Sequence, residues 1–153
     1  MKIQRILAGE IKVRLNVPFK TALRTVHQVH DLVLVVETDQ GLKGFGEAPP
    51  TALITGDTLG SMRAGLAILA PQLLGRELAD FNALLGTVQH GLVHNSSLKA
   101  ALEIALFDLR ARSYGVPLYQ LLGGGTPQLK TDITISLNDT ATMVRDSLAA
   151  VAA

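Results

Sequence analysis

The sequence predicts an α+β fold in which a three-stranded antiparallel sheet is followed by a helical bundle and then by one further strand–helix unit. Residues 9–15 alternate between apolar and polar side chains, which is the period of a strand with one solvent-facing side. The β-branched run at residues 32–36 precedes turn residues at 38–41 and another apolar stretch at 42–47, as in an antiparallel hairpin. Beyond residue 57 the apolar positions recur at helical spacing, so the helices follow the sheet.

The segment between the first two predicted strands, residues 16–28, is longer than a hairpin connection requires and shows no clear periodicity. Long ordered connections in compact domains are commonly binding loops or lids. A surface excursion without a function is an equal alternative on length alone. The sequence pattern by itself leaves both interpretations open.

The first helix is expected after Asp57, which we interpret as its N-cap, with Met62 and Leu66 on its buried side. Pro71 is expected to kink or end this helix, because proline lacks an amide N–H and clashes with the preceding turn. A second helix is expected over residues 80–91.

The third helix is expected to start at residues 96–97, and it carries two apolar stripes, which is typical of a helix buried among others. Two charge pairs on it, Lys99 with Glu103 and Asp108 with Arg112, are spaced four residues apart. Because side chains at this spacing are neighbours on a helix surface, we interpret both as ion pairs rather than as catalytic carboxylates.

Two glycine-rich stretches, residues 115–117 and 123–127, predict a boundary in the chain. After this boundary, residues 130–137 alternate as a strand does, and Asn138 or Asp139 is placed to cap a further helix.

One strand–helix unit is physically incomplete, because both strand edges need partners and the apolar helix face needs a sheet to cover. No glycine, asparagine or terminal cation ends the last helical pattern. We therefore expect the sequence to be the front part of a longer protein. The expected division is a first domain at residues 1–115, a linker at residues 116–129 and the start of a second domain at residues 130–153.

The composition excludes several classes of function. With 153 residues, of which 48% are hydrophobic and 18% charged, the chain is long and apolar enough to fold rather than to form a disordered tail. A net charge of +1 is too balanced for a nucleic-acid binder. The absence of cysteine excludes a disulfide framework and thiolate metal sites, and it fits the reducing cytoplasm. No long apolar run follows the N-terminus, so neither a signal peptide nor a membrane anchor is expected.

Two motifs that bind cofactors in other proteins are weak here. His90 and His94 have the spacing of a helical zinc pair, but Gly91 stands where a metalloprotease has its glutamate, and no third ligand is visible. We therefore interpret both histidines as surface or loop residues. The glycines within residues 41–46 lie in or beside a strand, so they do not form a dinucleotide loop between a strand and a helix.

Several stretches together carry a resemblance to a known family. They are the end of the sheet at residues 44–48, the third helix at 99–109 and the run from 115 to 124. Their order resembles the N-terminal capping domain of the enolase superfamily, in its muconate-lactonizing branch, over essentially the whole chain. Within that branch, residues 18–25, 46–51, 54–57 and 131–136 are most similar to the dipeptide epimerases that act on L-Ala-D/L-Glu.

The resemblance implies that residues 1–115 are the capping domain and that residues 130–153 are the first strand and helix of a (β/α)₈ barrel. It implies that the parent protein is a Mg²⁺-dependent isomerase that moves a proton at the α-carbon of a carboxylate substrate. In this family the two lysines and the metal carboxylates lie on later barrel strands. We therefore expect no catalytic residue and no metal ligand in this chain, and no activity from the chain alone.

By the same resemblance, five residues are expected to bind the substrate. Arg24 would offer a bidentate guanidinium to a substrate carboxylate, on a loop beginning at Phe19 that closes over the site. Thr134, on the polar face of the predicted barrel strand, would contact the dipeptide, although a packed β-favouring residue is the alternative. Thr51 and Ile54, which follow the sheet, would shape a second contact loop.

The resemblance implies a small acidic dipeptide as the substrate of the parent protein. We also expect the parent to be a cytoplasmic homo-oligomer, with neither nucleic acid nor membrane as a partner. One alternative is a stand-alone binding or assembly module. The other is the cap of a related lactonizing or racemizing enzyme.

Overall fold

The computed structural model of the protein describes residues 1–126 and 128–152. Three strands, β1 (Ile3–Lys20), β2 (Thr25–Thr38) and β3 (Lys43–Ala48), form one sheet in the order β1-β2-β3. Among the described residues, five helices follow them: α1 (Leu59–Leu73), α2 (Phe81–His90), α3 (Ser96–Ser113), α4 (Leu118–Leu121) and α5 (Thr140–Ala152). The predicted α+β class, with the sheet before the helices, is confirmed.

The chain forms two compact units. Residues 1–11 and 30–125 form the first unit, and residues 12–29 with the described residues after 125 form the second. The last part of β1, from residue 12, and the first part of β2, up to residue 29, therefore belong to the second unit, and the rest of both strands belongs to the first. The expected domain division at residues 115 and 129 stays a prediction.

The core of the first unit lies between the sheet and the helices. From Leu32 to Val36, every second residue of β2 (Leu32, Leu34 and Val36) is fully buried, as the strand period requires for a face that packs on helices. β2 and β3 pair antiparallel, with Leu32 opposite Ala48. The helices complete the core with a set of buried apolar side chains: Met62, Leu69, Leu73, Phe81, Leu84, Val88, Leu98, Leu102, Leu106 and Leu109.

Two glycines of β3 let helix α3 lie directly against the strand. A Cβ atom at Gly44 would stand 2.1 Å from the carbonyl oxygen of Ala105, and one at Gly46 would stand 1.9 Å from that of Ala101. Only glycine fits so close to a helix backbone. The glycines thus serve close packing of a strand and a helix, in agreement with our rejection of a dinucleotide loop.

The long connection predicted over residues 16–28 is wrong. β1 continues to Lys20, β2 begins at Thr25, and only four residues separate the strands. β1 pairs with β2 and continues beyond Pro18. An edge strand such as β1 tolerates proline, because the amides on its outer side have no partner strand and a missing N–H there costs no hydrogen bond. Phe19 is consequently a strand residue and not part of a loop.

The strand predicted over residues 130–137 stays a prediction. No strand is assigned among residues 128–139, and within residues 128–138 one backbone hydrogen bond runs from Leu137 N to Lys20 O at 2.9 Å. A strand is defined by a repeated ladder of such bonds to a neighbour, and a single bond does not make one. The helix expected after it is present as α5, with Asp139 Oδ1 accepting a hydrogen bond from Thr142 N at 3.0 Å.

The N-cap of α1 is Thr58, not Asp57 as predicted. Ser61 N donates to Thr58 Oγ1 at 3.0 Å and Thr58 N donates to Ser61 Oγ at 2.9 Å, which is a capping box. Asp57 instead accepts a hydrogen bond from the backbone of Ser97, at the start of α3. Because Thr58 already serves α1, the carboxylate of Asp57 is available to a different helix.

One of the two predicted ion pairs on α3 forms. Arg112 Nε lies 3.0 Å from Asp108 Oδ1. Lys99 does not pair with Glu103, as was predicted, because its Nζ donates to the carbonyl oxygens of Gln89 at 2.8 Å and Leu92 at 2.6 Å. Gln89 lies in the last turn of α2 and Leu92 in the loop that follows. Lys99 therefore supplies hydrogen-bond donors to carbonyl oxygens at the C-terminus of α2, which have no amide partner within the helix.

Candidate functional site

A tight turn at residues 21–24 joins β1 to β2 and carries Arg24. Thr21 N donates to Arg24 O at 2.8 Å. The hydroxyl of Thr21 accepts from Leu23 N at 3.3 Å and from Arg24 N at 3.2 Å, and it donates to Arg24 O at 3.2 Å. A threonine hydroxyl that bonds to nearby backbone groups is a common way to hold such a turn.

The side chain of Arg24 is half-buried. Among residues 1–126 and 128–152, no carboxylate forms an ion pair with it, whereas Arg5, Arg63, Arg112 and Arg145 each have one. A guanidinium has a rigid fork of donors that matches a carboxylate. Arg24 is therefore chemically equipped to receive an anionic group from a ligand.

Phe19 and Thr134 belong to the same compact unit as Arg24. Phe19 is half-buried on β1, next to Lys20, whose backbone bonds to the segment that contains Thr134. In detail, Lys20 N donates to Ser136 Oγ at 2.8 Å, and Leu137 N donates to Lys20 O. Thr134 itself is exposed.

Thr51 and Ile54 lie in the first unit, in the turn that follows β3. Ile54 N donates to Thr51 O at 2.8 Å, and the hydroxyls of Thr51 and Thr55 are 2.9 Å apart. This turn leaves the apolar side chains of Leu53 and Ile54 about two-thirds exposed, at 68% and 67%. The five predicted site residues thus fall into two groups, and their assignment to substrate binding stays a prediction.

A carboxylate pair that the sequence analysis missed lies on the outer face of the sheet, in the first unit. Glu47 is opposite Val33 in the β2–β3 register, so Asp31 is its diagonal neighbour on the same face. The hydrogen bond with Asp31 raises the pKa of Glu47, and partial burial and repulsion by Asp31 add to this. The two carboxyls line an open groove of about 590 Å³ together with Ile11, Val33, Phe45 and Ile104.

The sequence holds no local sign of this pair, because its members are sixteen positions apart. The pairing register alone brings them together. A prediction of the β2–β3 hairpin with its register would have placed both carboxylates on one face.

A second charged cluster ties β1, β2 and α1 together within the first unit. Glu10 accepts from Arg63 at 2.6 Å and lies 2.7 Å from His30 Nε2. The hydrogen bonds with His30 and then with Arg63 lower the pKa of Glu10. Both carboxylate oxygens of Glu10 have a partner in this cluster, so it serves to join elements of the fold.

The two histidines considered for zinc do not share a helix. α2 ends at His90, whose Nδ1 bonds to Gly86 O at 2.9 Å, and His94 lies in the following loop with φ of 59°. Nowhere in the described part of the chain do three His, Asp or Glu side chains come together as a metal site would require. No helix of the described residues is both long and apolar enough to span a membrane.

Residues 5–123 match the family described as mandelate racemase / muconate lactonizing enzyme, N-terminal domain. The chain belongs to this family. Membership confirms the resemblance to the muconate-lactonizing branch of the enolase superfamily and explains the order of the elements, a three-stranded sheet before a helical bundle.

The chain is 47% identical over 148 residues to the L-Ala-D/L-Glu epimerase of Bacillus subtilis. The aligned region covers 96% of this chain and 40% of that enzyme. The substrate-liganded structure of the L-Ala-D/L-Glu epimerase from Bacillus subtilis superposes with a TM-score of 0.94 at 46% identity, covering 97% of this chain and 42% of that one.

A dipeptide epimerase from Enterococcus faecalis, solved with Mg and the dipeptide L-Leu-L-Tyr, has the same TM-score of 0.94 at 30% identity and covers 99% of this chain and 43% of its own. The chain therefore spans about two fifths of the length of the relatives that it matches.

Proposed function

We propose that this chain is the substrate-specificity cap of a Mg²⁺-dependent dipeptide epimerase that acts on short acidic dipeptides such as L-Ala-D/L-Glu. The observation that carries the proposal is the 47% identity, over 96% of the chain, to an enzyme named for that substrate. The identity to the relative solved with the hydrophobic dipeptide L-Leu-L-Tyr is lower, at 30%, which favours an acidic substrate.

The reaction divides into recognition and proton transfer, and this chain supplies the recognition. Removal of a proton next to a carboxylate gives a strongly basic enolate, which needs a cation to stabilise it and proton-transferring groups on both faces of the carbon. The described residues do not fit a metal site. We place the metal and both proton-transferring groups in the three fifths of such an enzyme that this chain does not span.

Within the cap, Arg24 would bind the carboxylate that distinguishes an acidic dipeptide from a neutral one. Its guanidinium has no ion-pair partner within the described part of the chain, so binding a substrate would not require an existing pair to break. A charged group held by two parallel hydrogen bonds also fixes the orientation of the ligand. Phe19, Thr51, Ile54 and Thr134 would provide the remaining contacts.

We also propose that the enzyme is a cytoplasmic homo-oligomer. The lack of cysteine fits a reducing compartment. Phe45 on β3 and Ile104 on α3 are nearly half exposed, at 46% and 47%, and exposed apolar side chains of this kind occur at interfaces between subunits. Light scattering coupled to size-exclusion chromatography of the full-length enzyme tests the oligomer, and a monomer would contradict it.

The proposed function is tested with a chimera in which this chain replaces the matching two fifths of the Bacillus subtilis epimerase. Exchange of the α-proton in D₂O, followed by proton NMR, should show Mg²⁺-dependent turnover of L-Ala-L-Glu, and the chain alone should show none. Circular dichroism and thermal unfolding establish that the chimera is folded. A folded chimera that turns over neutral dipeptides but not L-Ala-L-Glu would overturn the proposed substrate class.

A further inference from the structure

The backbone of Arg24 is held by one residue. Its N–H donates to the hydroxyl oxygen of Thr21 at 3.2 Å, and its carbonyl accepts from Thr21 N at 2.8 Å and from the Thr21 hydroxyl at 3.2 Å. Both main-chain polar groups of Arg24 are therefore satisfied by Thr21. The direction in which the Arg24 side chain leaves the turn depends on these bonds, because they determine the orientation of its Cα.

The other two residues of the turn offer no such bonds from their side chains. Ala22 has no polar side-chain atom, and Leu23 is 71% exposed with its N–H also bonded to the Thr21 hydroxyl. Removal of the hydroxyl would thus release two amides and one of the two bonds to the Arg24 carbonyl. The backbone bond from Thr21 N to Arg24 O would remain, so the strands would still be joined by a turn.

We propose that Thr21 is a positioning residue for recognition of the acidic substrate, acting through Arg24. This proposal rests on the proposed function, in which Arg24 binds the substrate carboxylate. Thr21 does not itself touch the substrate in this account. Its hydroxyl reduces the set of turn conformations to the one that presents the guanidinium, so that less conformational freedom is lost when the substrate binds.

The test uses the chimera with the Bacillus subtilis barrel and two substrates of equal size, L-Ala-L-Glu and its neutral analogue L-Ala-L-Gln. Thr21→Val removes the hydroxyl at nearly constant volume, and Thr21→Ser retains it. Thr25→Val is the matched control. Thr25 directly follows Arg24 as the first residue of β2, is exposed, and makes no side-chain hydrogen bond within the described part of the chain.

We expect Thr21→Val to lower kcat/KM for L-Ala-L-Glu about tenfold, mainly through KM, which corresponds to the loss of one or two net hydrogen bonds. Turnover of L-Ala-L-Gln should change by less than about twofold, and Thr21→Ser and Thr25→Val should behave as the parent chimera does. In an Arg24→Met background, Thr21→Val should cause no further loss, because the two residues act as one unit.

Three results would each be decisive. If Arg24→Met lowers turnover of L-Ala-L-Glu and Thr21→Val does not, the positioning role is overturned and the proposed function stands. If Thr21→Val lowers turnover of both substrates equally, the residue only stabilises the fold, and the positioning role is again overturned. If Arg24→Met itself changes nothing, the proposed function of Arg24 fails first.

A second measurement does not depend on activity. Amide hydrogen exchange of this chain, followed by NMR, should show faster exchange at Leu23 and Arg24 in Thr21→Val than in Thr21→Ser, because both amides lose their acceptor. Equal protection of the two amides in both variants would overturn the proposal.

Discussion

The backbone N–H of Ser97 donates to Oδ2 of Asp57 at 2.9 Å, across a separation of 40 residues in the sequence. The hydroxyl of Ser96 donates to the same oxygen at 3.3 Å. A carboxylate at the N-terminus of a helix satisfies amides that have no partner in the helix and also interacts favourably with the helix dipole. The loop before α1 is thereby attached to the start of α3, the longest helix of the first unit.

The first prediction concerns this contact. Asp57→Ala should lower the free energy of unfolding by about 1–2 kcal/mol, as the loss of a helix cap does. Asp80→Ala is the matched control, because Asp80 stands at the N-cap of α2 without a side-chain hydrogen bond to the helix. Urea unfolding followed by circular dichroism measures both. Equal effects of the two substitutions would contradict the importance of the Asp57 contact.

The same contact predicts a dependence on pH. Burial by itself would raise the pKa of Asp57, but hydrogen bonds from Ser97, Ser96 and Thr55 outweigh it and lower the pKa below its usual value of 3.8. A carboxyl group whose pKa is lower in the native state than in the unfolded chain stabilises the native state fully at a pH above its unfolded-state pKa. This stabilisation is lost as the pH falls through its native-state pKa. The difference in stability between the parent chain and Asp57→Ala should therefore be constant near pH 7 and shrink below about pH 4.

The second prediction concerns the close approach of β3 and α3. Gly46→Ala should destabilise the fold by about 3 kcal/mol or more, because the added Cβ would overlap the carbonyl of Ala101 and neither backbone can move freely. Gly86→Ala, inside α2 where nothing lies within 4 Å of the added atom, should instead stabilise by about 0.5–1 kcal/mol. Thermal unfolding of both variants checks the opposite signs. A stable Gly46→Ala variant would contradict the packing described for this helix.

The third prediction concerns Arg24. In the epimerase chimera, Arg24→Met should reduce transition-state stabilisation for L-Ala-L-Glu by about 2–5 kcal/mol, the usual cost of removing one partner from a buried charge pair. Arg14→Met is the control, since Arg14 is an exposed arginine on the same hairpin. The ratio of kcat/KM values for the variants measures the effect, and an Arg24→Met chimera as active as its parent would remove Arg24 from the site.

The fourth prediction concerns the Asp31–Glu47 pair. The pKa of Glu47 is raised by the hydrogen bond with Asp31, by partial burial and by repulsion from Asp31. Ionisation of Glu47 therefore costs more free energy in the native state than in the unfolded chain. Glu47→Gln should therefore raise the melting temperature at pH 7. The gain should disappear below about pH 4, where the carboxyl is protonated in both states.

Asp132→Asn provides the control for Glu47→Gln, because Asp132 is exposed and forms no ion pair within residues 1–126 and 128–152. Its melting temperature should match that of the parent chain at both pH values. A Glu47→Gln variant that melts below the parent at pH 7 would mean that the charge of Glu47 contributes a favourable contact.

The elements that sequence analysis predicted correctly are those whose pattern is local. The β2 run with its buried Leu32, Leu34 and Val36 repeats every second residue. The apolar stripes of α3 repeat at helical spacing, and α3 begins at Ser96 as expected. These periods are properties of the backbone geometry itself, so they are readable from consecutive residues.

The elements that were predicted wrongly depend on a partner distant in sequence. The length of β1 follows from its pairing with β2. The cap supplied by Asp57 goes to a helix that begins 39 residues later. None of these partners is marked in the local pattern.

The sequence by itself determined the α+β class, the order of strands and helices and the family resemblance. Only the tertiary structure decided that Arg24 lies in a four-residue turn held by Thr21, that Asp31 and Glu47 share one face of the sheet, and that Gly44 and Gly46 admit a helix. The physical reason is that class and order arise from short-range periodicity, whereas hydrogen-bond partners, register and close approach arise when distant segments meet.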